Sequence, residues 1–163
     1  MILGGKAAIT RRIISGLHNA KVQAQPCGVD LSLHHVSKWT SAGIVDFSNQ
    51  HRANANVEKM PSTAGKLHLS TGNYLAMFNE TVDMPLDIMG QIFLRSSLWR
   101  CGALLSAGVM DSGYRGAVGA MLQVVNPHGI TFHEHARLAQ MVFHEMDEEV
   151  EGYDGVYQGA SKL

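Results

Sequence analysis

The chain has 163 residues, and 13 Lys plus Arg set against 14 Asp plus Glu leave a formal net charge of −1. Only 17% of the residues are charged, so a broad basic face for nucleic acid or an anionic membrane is excluded. A hydrophobic content of 45% suits one soluble globular domain over residues 1–163 with a core of its own, and so sparse a surface charge is compatible with part of the surface being covered by partner subunits.

The opening stretch MILGGKAAITRRIISG has no apolar core fit for a leader, and no later run approaches a membrane span. A soluble, cytoplasmic protein is expected. Within AAITRRIISGL, residues Ala8, Ile9, Ile13 and Leu17 recur at helical spacing with Gly16 near the end, which predicts one short amphipathic helix. Cys27 and Cys101 fit no CxxC pattern and read as reduced, partly buried thiols. In VDLSLHHV, Val29, Leu31 and Leu33 alternate with Asp30, Ser32 and His34, which is strand periodicity. Residues 48–65, SNQHRANANVEKMPSTAG, are polar and aperiodic and predict a long surface loop. NYLAMFNE, GQIFLRSSL and GAVGAMLQVV are short apolar runs bounded by turn formers, with a helical turn expected at PLDIMG. RLAQMVFHEM is helical by composition. As a strand, though, it sets Leu138, Gln140, Val142 and His144 on one face and Ala139, Met141 and Phe143 on the other. The fold class is mainly β with one short N-terminal helix: a sandwich, jelly roll or barrel.

Candidate chemistry centres on AGVMDSGYRG, residues 107–116. Asp111 there is either an ordinary turn residue or an acid presented for reaction. The nine histidines offer no metal pattern. His34 and His35, adjacent in a strand, point to opposite faces, and His133 and His135 share a face without a third ligand. Neither GxxxxGK[ST], GxGxxG nor GxSxG occurs. Anion-binding side chains remain: Arg95, Ser96, Ser97 and Arg100 in LRSSLWR, Arg137 and Gln140 in EHARLAQ, and Gln158 in YDGVYQG. A guanidinium beside two hydroxyls suits phosphate or carboxylate, although each segment alone also reads as a solvated loop.

In this order the segments resemble the deoxyuridine triphosphatase and deoxycytidine triphosphate deaminase superfamily. PCGVDLSL (26–33), RSSLWRCG (95–102), AGVMDSGYRG (107–116) and ARLAQMVF (136–143) resemble its first four motifs. The opening MILGGKAAI and the terminal YDGVYQG (153–159) are similar to the deaminase-like and archaeal branch, and the 48–65 loop is the main unmatched piece. The resemblance implies a distorted β-barrel or jelly-roll-like fold of dUTPase type. It also implies a homotrimer with active sites where subunits meet, and Mg²⁺ held through triphosphate oxygens and waters rather than by a protein cluster.

On that resemblance Asp111 activates water against the α-phosphorus of dUTP, giving dUMP and pyrophosphate. Arg95, Ser96, Ser97, Arg137, Gln140 and Gln158 bind substrate, and Tyr114 lies against the deoxyribose. Backbone amides of a 116–123 hairpin read the base. Asp30 holds an arginine or a metal-bound water, with Arg100 and Gln123 in supporting roles. A deaminase needs a carboxylate on the strand after the third motif, yet Gly116–Asn126, GAVGAMLQVVN, has none. Two ways of counting place Gln123 or Met121 there, and their disagreement implies a small insertion or bulge. Other departures are Gly113 where diphosphatases carry a second acid, Leu105 six before Asp111, and an ending at YQGASKL without a Gly-rich closing tail. A dCTP deaminase, a bifunctional enzyme and a catalytically silent nucleotide-binding protein stay open beside the diphosphatase.

Overall fold

A computed structural model describes residues 1–160 and places the terminal Ser161–Leu163 outside the described part. The chain opens with β1 (Ile2–Leu3) and α1 (Gly5–Thr10), followed by β2 (Ile14–Ser15), α2 (Ala20–Gln23) and β3 (Ala24–Gln25). The middle carries β4 (Gly28–Trp39), β5 (Val57–Lys59), β6 (Lys66–Leu69), β7 (Gly72–Asp83) and β8 (Ile88–Leu94). Then come α3 (Ser96–Arg100), β9 (Ala103–Ser106), β10 (Val109–Met110), β11 (Arg115–Val124), β12 (Ile130–His133) and β13 (Arg137–Glu145).

The main sheet is antiparallel and runs in the order β10-β8-β13-β4-β7-β11-β9, while β12 and β6 form a separate pair. Its two ends, β9 and β10, are consecutive in the chain and only residues 107–108 separate them. The sheet therefore curls until its edges meet through the chain: a distorted, open β-barrel. No helix among the described residues is long and apolar enough to cross a membrane.

β4 makes the curl possible. Its first half pairs with β13 (Met141 opposite Val29, Gln140 opposite Asp30), and its second half pairs with β7, from Leu33 opposite Phe78 onward. Changing partners mid-strand would strand the Ser32 amide, and the Glu80 carboxylate accepts it at 2.9 Å. Polar residues are consequently buried along with apolar ones in β4: Asp30 and Ser32 are as enclosed as Val29 and Leu31. A register shift between Leu33 and His35 accompanies the switch. It brings the His34 and His35 rings together edge to face at 4.9 Å, where plain alternation predicts opposite faces.

Several sequence expectations are corrected. The N-terminal helix runs only from Gly5 to Thr10, because Arg12 takes a left-handed φ of 58° and the β-branched Ile14 goes to the sheet, while the Ile13 carbonyl accepts from Asp83 N. Two further short helices exist, and α3 takes the SSL part of the expected third strand. The 48–65 loop contains β5, paired with β4, and Ile44 bridges to Ala53. PLDIMG makes a single turn, Ile88 N–H to the Pro85 carbonyl, before β8 begins. His135 leaves the strand at φ 57° and stacks on His18 at 4.0 Å instead of sharing a face with His133. Both cysteines are exposed.

Gly28 passes so close to β13 that a Cβ there would press into the Met141 carbonyl oxygen, a backbone atom that cannot swing aside. Gly28→Ala is expected to lower the unfolding free energy by about 2 kcal/mol, read from urea denaturation.

Candidate active site

Two groups of the expected residues assemble, at opposite ends of β8. The first surrounds Asp30, whose side chain is 2% exposed. Its Oδ2 accepts from Arg137 Nη1 at 2.9 Å and lies 3.2 Å from Arg95 Nε, and its Oδ1 accepts from Gln140 Nε2 at 3.4 Å. Arg95 also donates to the Arg137 carbonyl at 3.0 Å, and Arg137 to the Val22 carbonyl at 3.1 Å. Sequence positions 30, 95, 137 and 140 thus form one cluster, and the carboxylate holds two guanidiniums side by side. Both arginines remain about one-third exposed, at 30% and 32%. They can therefore still meet an anion from solvent.

Burial pushes the Asp30 carboxyl above its ordinary 3.8, against the opposing pull of Arg95, Arg137 and Gln140. The folded protein thus holds this proton more tightly than the unfolded chain. Asp30's contribution to stability is full below pH 3.8 and declines as pH climbs through the raised value.

Ser96 and Ser97 open α3 beside this cluster, both exposed. Arg100 turns back on its own helix, over the Trp99 ring at 4.8 Å and 3.5 Å from Ser96 Oγ. Beneath the cluster, Gln23 donates to the Asp30 carbonyl at 2.8 Å and to Glu80 at 2.6 Å, and Ser32 Oγ donates to the same carboxylate at 2.6 Å.

The second group lies at the seam of the barrel. A cavity of about 260 Å³ is lined by Asp111, Tyr114, Tyr153 and Tyr157 together with Val109, Met110 and the 117–119 stretch. The Ser112-Gly113 turn does bring acid and ring to one place. Asp111 is exposed, and it is the one carboxylate among the described lining residues. Tyr114 is buried and donates to the Ala117 carbonyl at 2.7 Å. Burial and the neighbouring Tyr153 phenol raise its pKa above the ordinary 10.0, so its hydroxyl stays a neutral donor.

The stretch expected as a 116–123 hairpin is one continuous strand, β11. It carries a register shift between Ala117 and Gly119, so a bulge lies where the sequence count disagreed. Gln123 sits exposed toward the far end of that strand, opposite Asn73 and Leu104, and does not line the cavity. Gln158 serves the chain itself: its Oε1 accepts from Arg115 N at 2.8 Å and its Nε2 donates to the Gly113 and Tyr153 carbonyls at 2.9 and 3.0 Å.

Gly113 has its own explanation. At φ 79°, a Cβ would lie 2.6 Å from the Gly152 Cα, so the returning tail leaves no room for an acid there. Tyr153 and Tyr157 as cavity walls escaped the sequence reading. The only signal was two tyrosines four apart in a segment valued for its glutamine. Buried Glu80 and Gln23 gave none, being ordinary polar residues until the sheet encloses them.

The two groups are well separated within one chain. Met110, next to Asp111, pairs with Gly90, whereas Arg95 lies beyond the far end of β8, about 16 Å further along at a strand's rise. No three His, Cys, Asp or Glu side chains among the described residues gather as metal ligands.

The class of β fold is that of a solved 2′-deoxycytidine 5′-triphosphate deaminase from Agrobacterium tumefaciens. The alignment has a TM-score of 0.66 at 20% identity and covers 87% of this chain and 47% of that one, so this chain spans about half the deaminase's length. A family model described as dCTP deaminase-like matches residues 5–146, and the chain belongs to that family. A relative from Methanosarcina mazei named "Probable deoxyuridine 5′-triphosphate nucleotidohydrolase" is 40% identical over 142 residues, covering 86% of this chain and 83% of its own. The "Deoxyuridine 5′-triphosphate nucleotidohydrolase" of Methanocaldococcus jannaschii is 36% identical over 139 residues, covering 84% and 88%. The similarly named Aeropyrum pernix protein is 34% identical and covers 98% of each chain.

Replacing Asp30 by Asn turns one buried acceptor oxygen into an NH₂ donor facing the donors of Arg95, Arg137 or Gln140, so buried hydrogen bonds are left unmade. Asp30→Asn is expected to cost about 1–2 kcal/mol in urea unfolding at neutral pH. It should also flatten the fall in stability as pH climbs above 3.8.

Proposed function

We propose that the protein hydrolyses dUTP to dUMP and pyrophosphate. The observation that carries this reading is the pairing of Asp111 with Tyr114 in one cavity that holds no other described carboxylate. Relatives of 34–40% identity over most of the chain bear the name of that activity.

The mechanism follows from the two groups. The tyrosine-walled cavity takes the nucleoside, with Tyr114 against the deoxyribose. Asp111 orients a water and accepts its proton as the water oxygen bonds to the α-phosphorus. The bond from that phosphorus to the bridging oxygen breaks, and pyrophosphate leaves. Arg95 and Arg137, aligned by Asp30, face the triphosphate with Ser96, Ser97 and Gln140, and supply charge where it develops. Since Asp111 and the arginines lie far apart in one chain, a complete site needs a second copy. We assign it to the subunit interface of a cytoplasmic homotrimer.

The donor set fits an ion that keeps its waters: Asp30 is already committed to Arg95, Arg137 and Gln140, and no ligand cluster gathers among the described residues. Mg²⁺, held by triphosphate oxygens and waters, would neutralise phosphate charge. Deamination of dCTP is disfavoured, since Gly116–Asn126 offers no acid and Gln123 lies off the cavity.

Incubation with dUTP and Mg²⁺ should release pyrophosphate. Asp111→Asn should cut the rate about a thousandfold, with circular dichroism unchanged. Undiminished release in that variant removes Asp111 from its role, and ammonia from dCTP would reinstate the deaminase.

A further inference from the structure

The cavity walls Tyr153 and Tyr157 belong to a tail that is tied down at both of its faces. On one side it is bonded to the third-motif segment. Tyr153 N donates to the Ser112 carbonyl at 2.8 Å, Gly159 N to the Arg115 carbonyl at 2.8 Å, and Ala117 N to the Ala160 carbonyl at 2.9 Å. On the other side it meets the arm formed by residues 41–56. Arg52 lies over the Tyr157 ring at 4.8 Å and donates to its hydroxyl at 2.5 Å, and that hydroxyl donates to Asn54 Oδ1 at 3.2 Å.

The arm is itself braced. Ile44 and Ala53 exchange backbone hydrogen bonds at 2.8 and 3.1 Å. The Asp46 carboxylate accepts from His51 N at 3.0 Å and from Ser48 Oγ at 3.2 Å. Asn56 N donates to Ser41 Oγ at 2.8 Å, and β5 anchors the arm's root to β4. A guanidinium that both stacks on a ring and donates to its hydroxyl fixes where the ring lies and how it is turned.

We infer that Arg52 is a positioning residue for the nucleoside pocket: it acts through Tyr157, and the 41–56 arm is the brace that sets the pocket's outer wall. The inference rests on the reading of this cavity as the nucleoside site of a dUTP hydrolase. A wall of this kind contacts the bound nucleoside alike before and during reaction, so weakening it raises KM and spares kcat.

The test uses the full chain with Arg52→Ala and Arg52→Lys. Two quantities are measured: steady-state pyrophosphate release from dUTP, and amide exchange at Ala117 and Gly159, with Met141 in the core as a control for folding. Arg52→Ala should raise KM about tenfold with kcat within about twofold, and speed exchange at both tail-bonded amides about tenfold while Met141 stays protected. Arg52→Lys, which keeps a cation over the ring, should recover part of both effects. An unchanged KM in active Arg52→Ala overturns the inference, whether or not exchange accelerates. A fall in kcat with KM unaltered does so as well. Wild-type protein that releases no pyrophosphate overturns instead the dUTP reading beneath it.

Discussion

The Asp30 carboxylate, buried between two guanidiniums, is the interaction on which the rest depends. It ties β4 to Arg95 beyond the end of β8 and to Arg137 at the start of β13. Burying an anion is costly and a charge pair seldom recovers the full cost. What the arrangement secures is geometry, since two like-charged side chains would otherwise part. Glu80 repeats the device one layer down, where β4 exchanges one partner strand for another and leaves the Ser32 amide in need of an acceptor. Two enclosed carboxylates thus shape one strand: one holds the side chains above it, the other its backbone.

The curl of the sheet explains why the acid stands apart from the arginines. The chain leaves β9, crosses two residues and begins β10, so Asp111 is delivered to the seam. The arginine cluster sits where β8 and β13 end away from that seam. About a strand's length separates them. On the proposed reading, chemistry that uses both is completed between copies. On the proposed assembly, one protomer's seam would face its neighbour's arginines.

Period-two patterning made the long strands legible: β4, β7, β11 and β13 lie where apolar alternation or short bounded runs placed them. The N-terminal helix is present but stops short of its expected end: Ile9, Ile13 and Leu17 fit a helical stripe, while Arg12 breaks the backbone between them. Spacing carried no hint that Asp30 meets Arg137, since such a contact depends on strand order. Resemblance to ordered motifs gives Asp30 an arginine or a metal-bound water to hold and leaves which arginine to the fold. The tail shows the opposite limit. The resemblance assigns Gln158 to a ligand; it bonds the protein's own backbone, while the tyrosines around it form the wall. Residue type announces capacity for hydrogen bonding, and only packing decides the recipient.

The contact between Gly113 and Gly152 has a further consequence. Two backbones pass so closely that position 113 accepts no side chain: a Cβ on Gly113 meets the Gly152 Cα, a backbone atom, at 2.6 Å, whereas one on Gly152 meets only the exposed end of Leu86 at 2.9 Å. Third motif and C-terminal segment are therefore sterically coupled at this one point. An acid at position 113, beside the tyrosine, would require the returning tail to take another path, so the room for a second carboxylate at that point is set by where the terminus runs.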